Sequence, residues 1–253
     1  MTRDRTLLDT TDVSVGSDLP AGDFATWLSN MRRALMNDRD SDVPCGACTA
    51  CCRSSQFIHI TADEVDTLQH IPKALLFPAP GLPRGNVVLG YDERGHCPML
   101  IDDRCSIYQH RPQTCRNYDC RIFPAAGITP AEPDKSLIAA QAQRWQFTYV
   151  SERDRALHSS VQAAGDFLQN HSDLFPHGLP SNTTQIAALA VNVHEVFFKS
   201  AAPTEEGGDD AAALSALARA VMATSRKFAA TSRATTTTPA VKRLRKKRPK
   251  PTA

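Results

Sequence analysis

All eight cysteines of this 253-residue chain lie between positions 45 and 120. Half of them form the run CGACTACC, a C-x-x-C-x-x-C-C pattern, and the other half are spread over residues 97–120. Thiols that merely fill a core are not crowded in this way, so the pattern predicts that the two groups meet in space and bind metal. The candidate ligands are Cys45, Cys48, Cys51, Cys52, Cys97, Cys105, Cys115 and Cys120.

The spacing within the run has a physical meaning. Two residues between cysteines let the chain turn and deliver two sulfurs to one metal, while nearby backbone N–H groups can donate to the thiolates. Gly46 suits such a turn because its backbone reaches conformations that other residues avoid. A third cysteine at the same spacing is typical of cubane iron-sulfur clusters, whose fourth ligand comes from elsewhere. Cys51 and Cys52 are adjacent, so we expect their side chains to point apart and serve different sites.

Eight thiolates suffice for two four-cysteine sites, or for one cluster and a spare redox pair. Zinc and iron-sulfur clusters accept the same thiolate ligands, so the predicted cofactor is an iron-sulfur cluster or zinc. The alternative to metal is disulfides or inert thiols. The opening residues lack an apolar signal segment, and we therefore expect a reducing cytoplasmic location, which disfavours disulfides. No later segment has the roughly 18 apolar residues of a membrane span, so no membrane partner is expected.

The charge distribution is uneven. Apolar residues make up 42% and charged residues 22% of the chain, as in soluble globular proteins. The formal net charge is +2, but residues 233–253 carry eight basic side chains and no acidic one. Clustered lysine and arginine neutralise phosphates, and this tail has no aromatic side chain to stack on bases. The tail therefore predicts non-specific contact with nucleic acid, or else a solvated extension.

Hydrophobic periodicity predicts an α+β fold: a small irregular cysteine-rich metal module with a few short strands, plus packed helices. Asp23 is expected to cap a helix with Phe24, Leu28, Met31 and Leu35 on one face. Residues 86–92 and 97–101 are expected to pair as a hairpin. Thr61 with Glu64, Ser151 and Ser181 are the predicted starts of further helices. The predicted segments are a flexible extension at 1–22, a single domain at 23–200 with a cysteine-cluster core at about 44–123, a linker and alanine-rich helix at 201–232, and a disordered basic tail at 233–253.

The cysteine segments resemble a known family. The stretches CGACTACCR, GHCPML, CSIYQHRPQTCR and DC are similar to the CxxCxxCC cysteine-cluster family of YkgJ-like proteins, which are described as zinc- or iron-chelating and often labelled iron-sulfur oxidoreductases. The resemblance covers about 44–123 and implies that all eight cysteines are metal ligands. A similar cluster occurs in flagellin lysine methylases, but this chain shows no separate signature of a transferase.

These observations lead to two functional hypotheses. The first is a metal-binding protein whose iron-sulfur centre has a redox or electron-transfer role, with an unidentified redox or protein partner; an oxidoreductase activity is uncertain. The second is a zinc-stabilised interaction module with no catalytic activity of its own. The sequence shows no catalytic group apart from the metal site. Arg53, Arg111 and Arg116 could offset the charge of a thiolate site or form surface salt bridges, and His59 and His96 are expected beside the metal or exposed, not as ligands.

Overall fold

Two hydrophobic cores of unequal size organise the chain. The computed structural model describes residues 17–36, 40–41, 43–200 and 211–236. A helical core contains twenty-six buried residues, drawn from residues 21–31 and 120–221. A small core contains five buried residues and lies in the cysteine-rich segment. The predicted α+β class is confirmed, since helices predominate and the strands form small sheets.

The helical core begins with strand β1 (Leu19–Asp23) and helix α1 (Phe24–Leu35). Asp23 caps α1 as predicted, because its Oδ1 accepts a hydrogen bond from the N–H of Thr26 at 2.8 Å. β1 pairs in parallel with β7 (Trp145–Thr148). The sequence does not predict this pair, since β1 contains Pro20 and Gly22 and lacks the alternation of apolar and polar residues that marks a strand.

Five further helices complete the helical core. α6 begins as predicted, because Ser151 and Asp154 form a reciprocal capping box. The prediction that Ser181 caps the next helix is wrong: Oδ1 of Asn182 accepts from the N–H of Thr184 at 2.9 Å. The residue directly before the first helical turn is the one placed to reach its free N–H groups. The helices are α4 (Ile122–Ala126), α5 (Ser136–Gln143), α6 (Glu152–Asn170), α7 (Thr183–Ser200) and α8 (Ala211–Thr236).

The small core is covered by a three-stranded antiparallel sheet of order β2-β4-β3. Its strands are β2 (Ile58–Ile60), β3 (Leu76–Pro78) and β4 (Val87–Leu89), and it packs near the short helices α2 (Val65–His70) and α3 (Gln113–Asn117). Its buried residues are Ile60, Ile71, Leu89, Met99 and Ile107.

The predicted hairpin between residues 86–92 and 97–101 is wrong. β4 pairs with β2 and β3, whereas β5 (Leu100–Ile101) pairs with β6 (Arg104–Cys105). The chain after β4 returns to the cysteine run instead, because the N–H of Cys97 donates to the carbonyl of Cys52 at 2.7 Å. The turn between β5 and β6 uses Asp102 and Asp103 at φ of 49° and 56°, as expected for residues that tolerate a left-handed backbone.

Helix α2 starts at Val65, and Glu64 is the residue directly before it. The Glu64 carboxylate makes no capping hydrogen bond to this helix. Its Oε1 accepts from the N–H of Thr61 at 2.9 Å, and its Oε2 accepts from the N–H of Gln113 at 2.6 Å. One carboxylate therefore holds both the approach to α2 and the first turn of α3, which carries Cys115.

Several predicted segments fall outside the described residues: most of the flexible extension at 1–22, most of the glycine-containing linker before α8, and the basic tail from 237 onward. α8 itself runs to Thr236, past the start that we predict for the tail. Among the described helices, none combines the length and the hydropathy that crossing a bilayer requires.

Candidate metal centre

A cavity of about 580 Å³ lies where the two cores meet, and seven of the eight cysteines line it. Leu89, Met99 and Ile107 of the small core form part of its wall, and Val43 and Tyr118, which pack on the helical core, form another part. The fold thus brings together the two cysteine groups that are separate in sequence. The lining thiols belong to Cys45, Cys48, Cys51, Cys52, Cys97, Cys105 and Cys115.

The cysteine run folds as two successive tight turns. The N–H of Cys48 donates to the carbonyl of Cys45 at 2.9 Å, around Gly46 at φ of 56°. The N–H of Cys52 then donates to the carbonyl of Thr49 at 2.9 Å, within a 3-10 turn over Ala50–Arg53. The positive φ of Gly46 is the conformation for which glycine was expected there.

Cys120 differs from the other seven cysteines because it is buried and belongs to the helical core. Its sulfur accepts a hydrogen bond from Nε1 of Trp145 at 3.2 Å. Trp145 lies on β7, so the strand that pairs with the N-terminal β1 also supports this thiol.

Electrostatic coupling identifies a first thiol set, which consists of Cys45, Cys48, Cys51 and Cys120. Burial raises the pKa of Cys51 well above its usual value, and the next cause is the neighbouring Cys120 thiol, followed by Cys45. Burial also raises the pKa of Cys45 to about 11, with Cys48 as the next cause. For Cys120 the pKa rises to about 12, chiefly through burial, with Cys45 and Cys48 among its neighbours. Cys45, Cys48 and Cys51 are therefore electrostatic neighbours of the remote Cys120, although Cys52 also raises the pKa of Cys51.

A second thiol set consists of Cys52, Cys97, Cys105 and Cys115. Burial raises the pKa of Cys52 to about 12, and the next causes are Cys97 and Cys105. Burial likewise raises the pKa of Cys115 to about 12, followed by the same neighbours Cys52, Cys97 and Cys105. Cys51 and Cys52 are consecutive in the chain but have different principal neighbours.

The thiols are widely spaced. Within the part of the chain that the structure describes, which includes all eight cysteines, no three sulfurs lie within 4.8 Å of one another. A zinc ion with four thiolates at about 2.3 Å would hold its sulfurs about 3.8 Å apart. Among the described residues, therefore, no three thiols are as close together as the ligands of one zinc ion would be.

Two buried polar atoms in the cavity wall have no hydrogen-bond partner: Nε2 of Gln56 and the hydroxyl of Tyr118, both on partly buried residues. Burial raises the pKa of Tyr118 strongly, and Cys51 and Cys120 raise it further. Leaving a polar group buried and unpaired costs about 1–3 kcal/mol. Both donors lie beside thiols and would be satisfied by an acceptor placed in the cavity.

The predicted arginines have different environments. Arg111 and Arg116 line the cavity, and Arg111 lowers the pKa of Cys45 and Cys115 against the larger effect of burial. Arg116 also pairs with Asp40 at 3.3 Å, and Arg53 pairs with Asp103. Salt bridging, one of the two roles that the sequence suggested, is therefore observed for Arg53 and Arg116, and charge compensation by Arg111 stays a prediction.

A buried ion pair flanks Cys120, and the sequence analysis did not identify it. Nη2 of Arg121 donates to Oδ2 of Asp119 at 2.8 Å, and Nε1 of Trp27 donates to the same oxygen at 2.9 Å. Arg121 also donates to the carbonyl of Ala21 at 3.1 Å. The residues around Cys120 are thus anchored to β1 and α1, about a hundred positions away in sequence, and no local pattern could reveal this.

Neither histidine that the sequence analysis considered, His59 or His96, is among the described residues that line the cavity, and Nε2 of His59 is 3.2 Å from Oδ1 of Asn86. A surface group that the sequence analysis missed contains Asp66, His70 and His110. Its imidazoles stack at 3.6 Å, and Nδ1 of His110 lies 2.7 Å from Oδ2 of Asp66. Hydrogen bonds within the group account for its arrangement.

Comparison with known protein families supports metal binding by the cysteine-rich segment. Residues 44–147 match the model of the CxxCxxCC family, described as "Putative zinc- or iron-chelating domain". The matched segment contains all eight cysteines and extends to β7, so it includes Trp145. Neither a curated protein nor a solved structure gave a significant match. The resemblance seen in the cysteine motifs is confirmed over residues 44–147, which match the model of this zinc- or iron-chelating domain.

Proposed function

We propose that the eight cysteines hold an iron-sulfur cofactor as two four-thiolate sites, and that the protein has a redox or electron-transfer role in the cytoplasm. The family description supports binding of zinc or iron and leaves the choice open. The observation that carries the choice is the spacing of the thiols around the cavity.

The spacing favours a polynuclear cluster over a bare zinc ion. Sulfurs in a tetrahedral zinc site would lie about 3.8 Å apart, yet no three cysteine sulfurs among the described residues lie within 4.8 Å. In a cubane cluster, iron and sulfide atoms stand between the thiolates and hold them farther apart. The volume of about 580 Å³ offers room for such groups.

The first thiol set also has the ligand order of a cubane site. Cys45, Cys48 and Cys51 form a C-x-x-C-x-x-C run, and the fourth thiol, Cys120, is remote in sequence. Iron-sulfur proteins commonly combine a close-spaced run with one distant cysteine. The second set, by contrast, takes one thiol from the run and three from residues 97–115.

The cofactor would supply one-electron chemistry, and the chain would supply its surroundings. Burial and the Trp145 hydrogen bond would hold Cys120 in place, and Arg111 would offset part of the negative charge of the assembled sites. The exposed Arg104 lies at the cavity edge, where a redox partner could approach.

The test is anaerobic purification followed by assays of iron, acid-labile sulfide and zinc. We expect a brown protein with visible charge-transfer absorption and comparable amounts of iron and sulfide. A colourless protein with stoichiometric zinc would contradict the proposal and favour the zinc-stabilised interaction module.

A further inference from the structure

We propose that Gln56 and Tyr118 donate hydrogen bonds to sulfur atoms of the centre held by the first thiol set, and so set its reduction potential. This inference rests on the proposed iron-sulfur function. Neither residue belongs to the cysteine motifs, and each is assigned here by its position in the cavity wall.

The first argument is that both groups are donors without a partner. Nε2 of Gln56 and the hydroxyl of Tyr118 are buried and make no hydrogen bond. Tyr118 lies close enough to Gln56 and Thr184 for both side chains to lower its pKa, but the hydroxyl reaches neither in hydrogen-bond geometry. Native proteins rarely bury such groups unpaired, so an acceptor is expected on the cavity side.

The second argument is location. Cys51 and Cys120 are the thiols that act on Tyr118, and both belong to the first thiol set. Gln56 adjoins Tyr118 and follows the cysteine run by four residues. Trp145 already donates to Cys120 from another side, at 3.2 Å. Three neutral donors would therefore surround one centre.

The consequence is electrostatic. Reduction adds negative charge to the cluster, and donors to its sulfurs stabilise that charge more in the reduced state than in the oxidised state. Removing one donor should therefore lower the potential without removing a ligand. A residue that only fills space would not have this effect.

The experiment compares Tyr118→Phe, Gln56→Leu and the full-length wild type, all purified anaerobically. Iron and sulfide are measured first, and potentials are then determined by redox titration followed by visible absorption and electron paramagnetic resonance. We expect unchanged iron and sulfide, and for each variant a roughly tenfold shift in the reduction equilibrium of one centre, about 59 mV for one electron, toward lower potential.

Tyr91→Phe is the matched control, because it removes the same hydroxyl from an exposed tyrosine that does not line the cavity. Its potentials should equal those of the wild type. Full iron content with unchanged potentials in Tyr118→Phe and Gln56→Leu would overturn the donor assignment alone. Absence of iron and sulfide from the wild type would overturn the proposed function together with it. Should Tyr118→Phe fail to fold, Gln56→Leu decides the question.

Discussion

The helical core and the small core achieve order in different ways. The helical core buries twenty-six residues, including Phe24, Phe123 and Leu168, each at most 1% exposed. The small core buries five, and its strands are two or three residues long. Apolar burial contributes about 25 cal/mol per Å², so the first region can stabilise itself and the second cannot do so by burial alone. We therefore expect the cysteine-rich region to gain stability from metal bound by its thiols.

Removing the cofactor should produce the largest difference between the two cores. After anaerobic chelation, we expect strands β2 and β4 to lose hydrogen-exchange protection while helices α6 and α7 keep theirs, because the small core has little apolar burial to replace thiolate ligation and α6 and α7 carry no cysteine. Hydrogen-exchange mass spectrometry of the holo- and apo-proteins measures this directly. Equal loss of protection in both regions, or in neither, would contradict the comparison.

The grouping of the thiols predicts the next largest effect. Cys48→Ser should remove the centre of the first thiol set and Cys105→Ser that of the second, so each variant should retain about half of the iron and sulfide. The double variant should retain almost none. Iron and sulfide assays, with electron paramagnetic resonance to tell the centres apart, provide the measurement. Loss of all iron from both single variants would mean that the eight thiols hold one unit.

Sequence reasoning succeeded where the information is local. The tight turn at Gly46, the cap of α1 by Asp23 and the capping box at Ser151 each depend on residues a few positions apart. It failed where contacts are distant: the pairing of β1 with β7, and the return of Cys97 to Cys52 in place of a hairpin with β4. The spacing of the cysteines could not indicate which thiols are neighbours, because that depends on how the two cores meet.

Substitutions of the two tryptophans test how Cys120, the thiol of the helical core, is held in place. Nε1 of Trp145 donates to Cys120, whereas Nε1 of Trp27 donates to Asp119, next to that thiol. Trp145→Phe should accelerate iron release about tenfold, as expected for loss of a hydrogen bond to a metal-binding thiolate. Trp27→Phe is the matched substitution and should cost about 1–2 kcal/mol of unfolding free energy.

These two effects can be read separately. Iron release is followed by absorption in the presence of a chelator, and the unfolding free energy by denaturant titration. Equal rates of iron release from Trp27→Phe and Trp145→Phe would show that the hydrogen bond from Trp145 to Cys120 does not slow iron release.

The smallest effect concerns pH and the helical core alone. Burial lowers the pKa of His158 below its usual 6.5. Its Nδ1 lies 2.6 Å from the Tyr149 hydroxyl, its Nε2 lies 3.3 Å from the Pro124 carbonyl, and the Arg155 guanidinium covers the Tyr149 ring at 4.7 Å. A neutral imidazole satisfies both contacts, and a protonated one would add a charge near Arg155. The unfolded chain therefore binds the proton more readily than the folded protein does.

The sign of the pH dependence follows from that difference. Above about pH 6.5 the ring is neutral in both states and costs nothing; as the pH falls below this value, the unfolded state takes up the proton and stability is lost. For a half-buried ring we expect a loss below about 1 kcal/mol between pH 7.5 and 5.5. Denaturant titrations of the wild type and His158→Gln at both pH values measure it. His158→Gln should show a smaller loss, since its side chain cannot be protonated in this range, and an equal loss in both proteins would assign the pH dependence to other groups.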